Sequence, residues 1–177
     1  MMLQIKIDDE LSLRILEERH AEDLFAAVDN CRTYLREWLP WVDATRTVRD
    51  SKDYIKFGLK KFADGQGPEF GIWYKGELAG VIGLHYIHWQ NKKSSIGYWL
   101  SEKFQGKGIM SRANEAMLSY IFEELDLNRV EIRVATENKK SEAIPERLGF
   151  ELEGIARKSE IIYGRTVDHK VFAKVRD

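Results

Sequence analysis

A run of β-forming residues at 95–100 passes through Gln105-Gly106-Lys107-Gly108-Ile109-Met110 into a stretch, 111–125, whose Ala113, Ala116, Met117, Tyr120 and Ile121 fall on one helical face. This strand, glycine loop and helix constrain the fold more than any other segment. The apolar stripe has to lie on a sheet, and the strand before it supplies one. A helix leaves its first four N–H groups without intrahelical partners and carries partial positive charge at that end. Glycines at 106 and 108 let the backbone approach a ligand closely, and Lys107 adds a mobile charge, so the junction suits a pyrophosphate. A Walker loop would need a Gly-Lys-Ser/Thr tail, which is missing, and a Rossmann fingerprint would need a third glycine where Ser111 stands.

Alternating elements surround this junction. Residues 3–7 and 11–16 read as a hairpin around Asp8-Asp9-Glu10, and 20–30 as a helix with Ala21, Leu24, Phe25 and Val28 on one side, a face that Cys31 continues. A second amphipathic helix covers 49–63 and is ended by Gly65-Gln66-Gly67-Pro68. Strands at 70–74 and 78–89 bracket Lys75-Gly76-Glu77. After the glycine loop and its helix, 129–135 alternates as a strand and 141–148 is a short helix stopped by Gly149. Strands at 150–162 and 166–175 then close around Tyr163-Gly164-Arg165. The order is β-β-α-α-β-β-β-α-β-α-β-β, a mixed α/β fold with helices on both faces of one sheet.

A chain of 177 residues that is 44% hydrophobic fits one domain, 1–177, with a sizeable core. No apolar stretch approaches the roughly 20 residues of a membrane span, so no membrane partner is expected. The early acidic residues, Asp8 to Glu10, argue against a signal peptide. A lone Cys31 excludes an internal disulfide and agrees with a cytoplasmic location; on an apolar helix face it reads as filler. A net charge of −1 provides no global field for nucleic acid. His85 and His88, three apart on a strand, point to opposite faces, so no metal site is expected. His20 and His169 carry no assigned role.

The pattern Gln/Arg-x-x-Gly-x-Gly/Ala between a strand and a helix resembles the acetyl-CoA pyrophosphate loop of the GNAT superfamily of N-acetyltransferases, with Met110 departing at the sixth place. A second cluster agrees with it: Asn138-Lys139-Lys140-Ser141, then a short helix ending in Leu148-Gly149-Phe150. The resemblance spans the chain and narrows to the RimJ/RimL type of ribosomal-protein N-terminal acetyltransferase. That narrowing rests on Trp38-Leu39-Pro40-Trp41, Ile96-Gly97-Tyr98-Trp99-Leu100, and Glu153-Gly154 with Gly164 and Asp168. It implies a GNAT fold: a central mixed, mostly antiparallel sheet of about seven strands, with a splayed strand pair at the cofactor site. It implies acetyl-CoA as cosubstrate, a protein N-terminus or a small amine as acceptor, and a homodimer.

Acetyl transfer to an amine needs a deprotonated amine, a polarised thioester carbonyl and a stabilised leaving thiolate. The resemblance implies Glu160 as base, the alternative being a surface Glu paired with Lys158 or Arg157. It implies cofactor binding by Gln105, Gly106, Lys107, Gly108, Ile109, Met110 and Ser111, and by Asn138, otherwise a turn residue. A backbone N–H at Trp99 or Leu100 would face the thioester oxygen, with the pantetheine arm lying along 95–100 like an added strand. Ser141 is the candidate for stabilising the leaving thiolate, its hydroxyl being a donor that needs no charge, and is equally well placed to be a helix N-cap. Trp38, Trp41 and Tyr34 would wall the acceptor site, or else pack the end of a helix. No Cys or Ser stands beside a convincing His base, so the attack would be direct. Polyamine or aminoglycoside acetylation, and a non-catalytic CoA-binding sensor, are the rival readings.

Overall fold

The computed structural model describes residues 3–176. Met1, Met2 and Asp177, which the expected domain includes, lie outside the described residues. Among the described residues eight strands form one sheet in the order β1-β2-β3-β4-β5-β6-β8-β7, where the resemblance implies about seven. They are β1 (Gln4–Lys6), β2 (Leu11–Ile15), β3 (Glu69–Tyr74), β4 (Glu77–His88), β5 (Lys93–Leu100), β6 (Arg129–Ala135), β7 (Glu151–Ile162) and β8 (Arg165–Val175). The helices are α1 (Ala21–Asp29), α2 (Arg32–Arg36), α3 (Val48–Ala63), α4 (Ile109–Ser119) and α5 (Lys139–Arg147).

Strand alternation sends side chains to two helical layers. Phe70, Ile72, Ile82 and Leu84 pack with Ile109, Ala113, Met117 and Ile121 of the α4 segment on one face. Trp73 and Val81, each next in sequence to one of those, pack with Leu24 of α1 and Ile55 of α3 on the other. Each fully buried Leu or Ile contributes about 1.5–3 kcal/mol, so both layers are fixed by the same strands. Among the described residues, no helix is long and apolar enough to cross a membrane.

Local signals explain the element ends. Thr47 caps α3: its hydroxyl accepts the Asp50 N–H at 3.3 Å, and the Asp50 carboxylate accepts the Thr47 N–H at 2.8 Å. The Thr47 hydroxyl, which donates to that carboxylate at 2.8 Å, and then the N–H groups of Arg46 and Thr47 hold the Asp50 carboxyl below its usual range. Helix α1 ends at Asp29, so Cys31 does not continue its face; it sits at the start of α2, a helix the apolar spacing did not reveal. Its thiol donates to the Ala27 carbonyl at 3.3 Å, and the residue packs half-buried against Val28, Leu35 and Val42. Helix α4 starts two residues earlier than the stripe suggests, because Gly108 adopts φ 67° and releases Ile109 and Met110 into the core. Its C-terminal end widens into a π turn over Tyr120–Glu124.

Candidate active site

Every neighbouring pair in the sheet is antiparallel except β5 and β6. That parallel pairing lasts for Lys93, Ser94 and Ser95 against Arg129, Val130 and Glu131, and then the strands part. The remaining lengths, Ile96 to Leu100 and Ile132 to Ala135, line a cleft. Ser101 N–H donates to the Ala79 carbonyl at 2.8 Å. The two-residue period of the β4–β5 ladder therefore turns the Trp99 amide toward β4, and those of Tyr98 and Leu100 into the cleft. Of the two residues proposed to face a thioester oxygen, Leu100 has the right direction and Trp99 does not.

Two cavities meet at this cleft from opposite faces of the sheet. One, of about 300 Å³, lies on the α4–α5 side and is lined by Leu100, Gln105, Met110 and Ile144. The other, of about 620 Å³, lies on the α1–α3 side and is lined by Val28, Tyr54, Glu69, His85 and Glu160. Trp38, Leu39, Tyr98, Trp99, Asn138 and Ser141 border both. Tyr34, expected at the acceptor, lines the smaller cavity instead, with the Lys140 ammonium 5.1 Å from its ring centre. Trp41 lines the larger cavity and packs against Trp99 with ring centres 5.8 Å apart, so it is both packing and wall.

On the smaller cavity's side, the first intrahelical bond of α4 runs from Arg112 N–H to the Gly108 carbonyl at 3.2 Å. The amides of Ile109, Met110 and Ser111 precede it and have no helical acceptor, as an anion site requires. The Ser111 hydroxyl accepts from Arg147 of α5 at 2.6 Å, which leaves its own O–H free to donate. Met110 is buried in the core, so its side chain does not cover the exposed glycine turn. Gln105 donates to the Leu100 carbonyl at 3.2 Å and ties the loop to the strand. Lys107 lies over Phe104, 5.5 Å from its ring centre, and its Nζ is 3.2 Å from the Lys103 carbonyl.

Asn138, not Ser141, caps α5: its side-chain oxygen accepts the Ser141 N–H at 3.2 Å. The helix therefore starts at Lys139, two residues before the expected 141, and Pro145 falls in its body. Proline has no N–H for the carbonyl four residues back, which is that of Ser141. The Tyr98 hydroxyl supplies the missing donor at 3.1 Å, and the Ser141 hydroxyl donates to the Tyr98 oxygen at 3.3 Å. Burial pushes the Tyr98 phenol up to about 12, so it stays a donor at neutral pH. Tyr98→Phe is expected to cost roughly 1–3 kcal/mol by orphaning that carbonyl. Adding Pro145→Ala should recover much of the melting temperature by restoring an N–H, and no recovery in a thermal melt would refute this account.

Glu160 reaches the larger cavity through a bulge. Between the pairs Ala156–His169 and Glu160–Val167, residues 157–159 of β7 face the single Asp168 of β8. Lys158 takes φ 51° there, and its N–H donates to the Asp168 carboxylate at 2.7 Å. Glu160 consequently lies on the face of Val167 and His169, with its carboxylate 2.9 Å from His169 Nε2. Its partner is neither Lys158 nor Arg157. The His169 side chain is 15% exposed and that of Glu160 32%, so the pair is sheltered yet open to the cavity. Among the described residues, no group of three or more His, Cys, Asp or Glu is placed to hold a metal ion.

The acetyltransferase (GNAT) domain family matches residues 10–151. The chain is 38% identical over 166 residues to the Bacillus subtilis (strain 168) protein YdaF, provisionally named a ribosomal N-acetyltransferase, covering 92% of this chain and 90% of that one. A solved structure of RimL, the ribosomal L7/L12 α-N-protein acetyltransferase, in complex with coenzyme A, superposes with a TM-score of 0.95 at 28% identity over 99% of both chains. The microcin C7 self-immunity acetyltransferase MccE, in complex with acetyl-CoA and AMP, superposes with a TM-score of 0.93 at 31% identity, over 97% of this chain and 96% of that one.

The chain belongs to the GNAT acetyltransferase family. The splayed β5–β6 pair and the glycine turn are thus the parts of a GNAT fold that were expected from the sequence. Sequence reasoning missed three residues around this GNAT cleft. His169 was passed over because the bulge that brings it to Glu160 does not show in the hydropathy pattern. Tyr98 was read only as part of a motif, although Pro145 inside a helical stretch signals a carbonyl in need of a donor. His85 was considered only as a metal ligand, and its place in the larger cavity depends on a bulge between Leu84 and Tyr86.

Proposed function

We propose that the chain is an acetyl-CoA-dependent N-acetyltransferase that passes acetyl directly to the N-terminal α-amine of a protein, with ribosomal proteins as the acceptor class. The observation that carries this reading is the meeting of two cavities from opposite sheet faces at the β5–β6 cleft, with the glycine turn on one side and Glu160 on the other. The likeness to RimL and YdaF supports the acceptor class. The domain is taken as 1–177, acting in the cytoplasm and as a homodimer.

The amides of the Gly106–Ser111 turn, with Lys107, hold the pyrophosphate, and Asn138 borders the pantetheine path. The Leu100 amide polarises the thioester oxygen. Trp38 and Trp41 wall the larger cavity and exclude water from the acceptor. Glu160, steadied by His169, takes a proton as the amine attacks. An α-amine has a pKa near ~7.7–8.0, so a carboxylate or a relayed water is base enough. The carbon–sulfur bond breaks with its electron pair on sulfur; the Ser141 hydroxyl turns from Tyr98 to donate a hydrogen bond to the thiolate, which takes its proton from solvent as Glu160 releases the one it received from the amine.

Thiol release from acetyl-CoA, measured with ribosomal-protein N-terminal peptides and with small amines such as polyamines and aminoglycosides, tests this reading. Turnover with α-amine peptides supports it. Turnover confined to small amines replaces the acceptor class, and tight CoA binding without any turnover replaces the enzyme with a sensor.

A further inference from the structure

The floor of the larger cavity is polar for a reason visible in the strand register. Glu69, Gly83 and Gly97 lie in line across β3, β4 and β5. A Cβ at Gly83 would collide with the Glu69 carboxylate, and one at Gly97 would collide with the His85 ring, so each glycine leaves a hollow that seats a polar group. Glu69 is already satisfied, by Lys61 at 2.6 Å and by the Tyr54 hydroxyl at 3.1 Å. His85 is different. It is exposed within the cavity and makes no hydrogen bond among the described residues. Loss of bulk solvent lowers its pKa, opposed by the charges of Glu69 and Glu160 and assisted by Lys61, so the ring keeps a free lone pair at neutral pH. Ser51, on α3, lines the same cavity with a buried hydroxyl that also has no partner among the described residues.

We propose that His85 binds the acceptor: its free imidazole nitrogen accepts one N–H of the attacking primary amine while Glu160 receives the proton of the other. This rests on the amine-acetylation reading above. A neutral primary amine has two N–H bonds and one lone pair. Fixing both N–H bonds leaves the lone pair one direction, toward the thioester carbon. One proton departs to Glu160 as the new carbon–nitrogen bond forms, and the N–H on His85 remains as that of the product amide. His85 itself gains and loses no proton.

The test is steady-state kinetics with a peptide acceptor on His85→Ala, His85→Gln, Gly97→Ala and the double variant His85→Ala/Gly97→Ala. His85→Ala is expected to lower kcat/KM for the acceptor about tenfold, the worth of one hydrogen bond in a sheltered site, with the KM for acetyl-CoA unchanged. His85→Gln should recover part of this. Gly97→Ala should reproduce the loss by pushing the ring out of its hollow, and the double variant should be no worse than His85→Ala. Losses that add in the double variant, a raised KM for acetyl-CoA in His85→Ala, or an unchanged His85→Ala overturn the proposal. Wild-type turnover in the same assay tests the acetyl-transfer reading separately.

Discussion

Glu160→Gln lowers turnover by about a hundredfold or more, the range of a lost general base, while the affinity for acetyl-CoA stays close to that of the wild type. The reason is positional. Glu160 borders only the larger cavity, so removing its charge leaves the glycine turn and the smaller cavity untouched. Glutamine preserves the shape and the contact to His169 Nε2 but cannot take a proton from the amine. The loss should persist as pH rises past the acceptor's own pKa, because a neutral amine still has to shed a proton as it attacks. Stopped assays of thiol release across pH 6–9, paired with CoA titration calorimetry, check both parts. A variant with wild-type turnover across that range would remove Glu160 as the base.

Gly108→Val has the opposite signature: CoA affinity falls by more than about tenfold, and turnover at saturating acetyl-CoA changes less. Gly108 holds φ 67°, a left-handed conformation that costs a side-chain-bearing residue about 1–2 kcal/mol, and more if it is β-branched. Space is not the issue, since a Cβ there meets nothing within 4 Å. The backbone would relax instead and move the amides of Ile109, Met110 and Ser111 off their common focus. Gly108→Asn, which tolerates the left-handed region, should lose far less. Calorimetric titration with CoA measures both, and unaffected affinity in the valine variant would overturn the placement of the pyrophosphate.

The layers were legible because they rest on periodicity. The stripe of Ala113, Met117 and Ile121 and the alternation of Val130, Ile132 and Val134 each found the partner surface they imply. The glycine turn of the proposed donor side was nearly as legible, since strand, left-handed glycines and helix follow one another where the residue pattern puts them. The acceptor side was not. Glu160 was identified by likeness, but its contact with His169 depends on three residues looping out against Asp168. His85 depends on a second bulge and on the hollow at Gly97. Bulges break the two-residue period without an obligatory residue type, so hydropathy does not mark them. Ser141 was misread as a cap because Asn138, three residues earlier, offers the same chemistry and wins.

The short β5–β6 ladder also decides what controls the width of the cleft. Strands β1–β5 make one antiparallel plate, and β6–β8 make another. Three paired residues join them, while Met117, Leu118 and Ile121 pack into a core shared with Ile82 on the first plate and Ile132 and Phe172 on the second. Few backbone bonds resist a change in the gap, so side-chain volume sets it. The hydrophobic core thus sets the spacing of the two plates, and a methylene added or removed at Met117 is expected to change the width of the cleft.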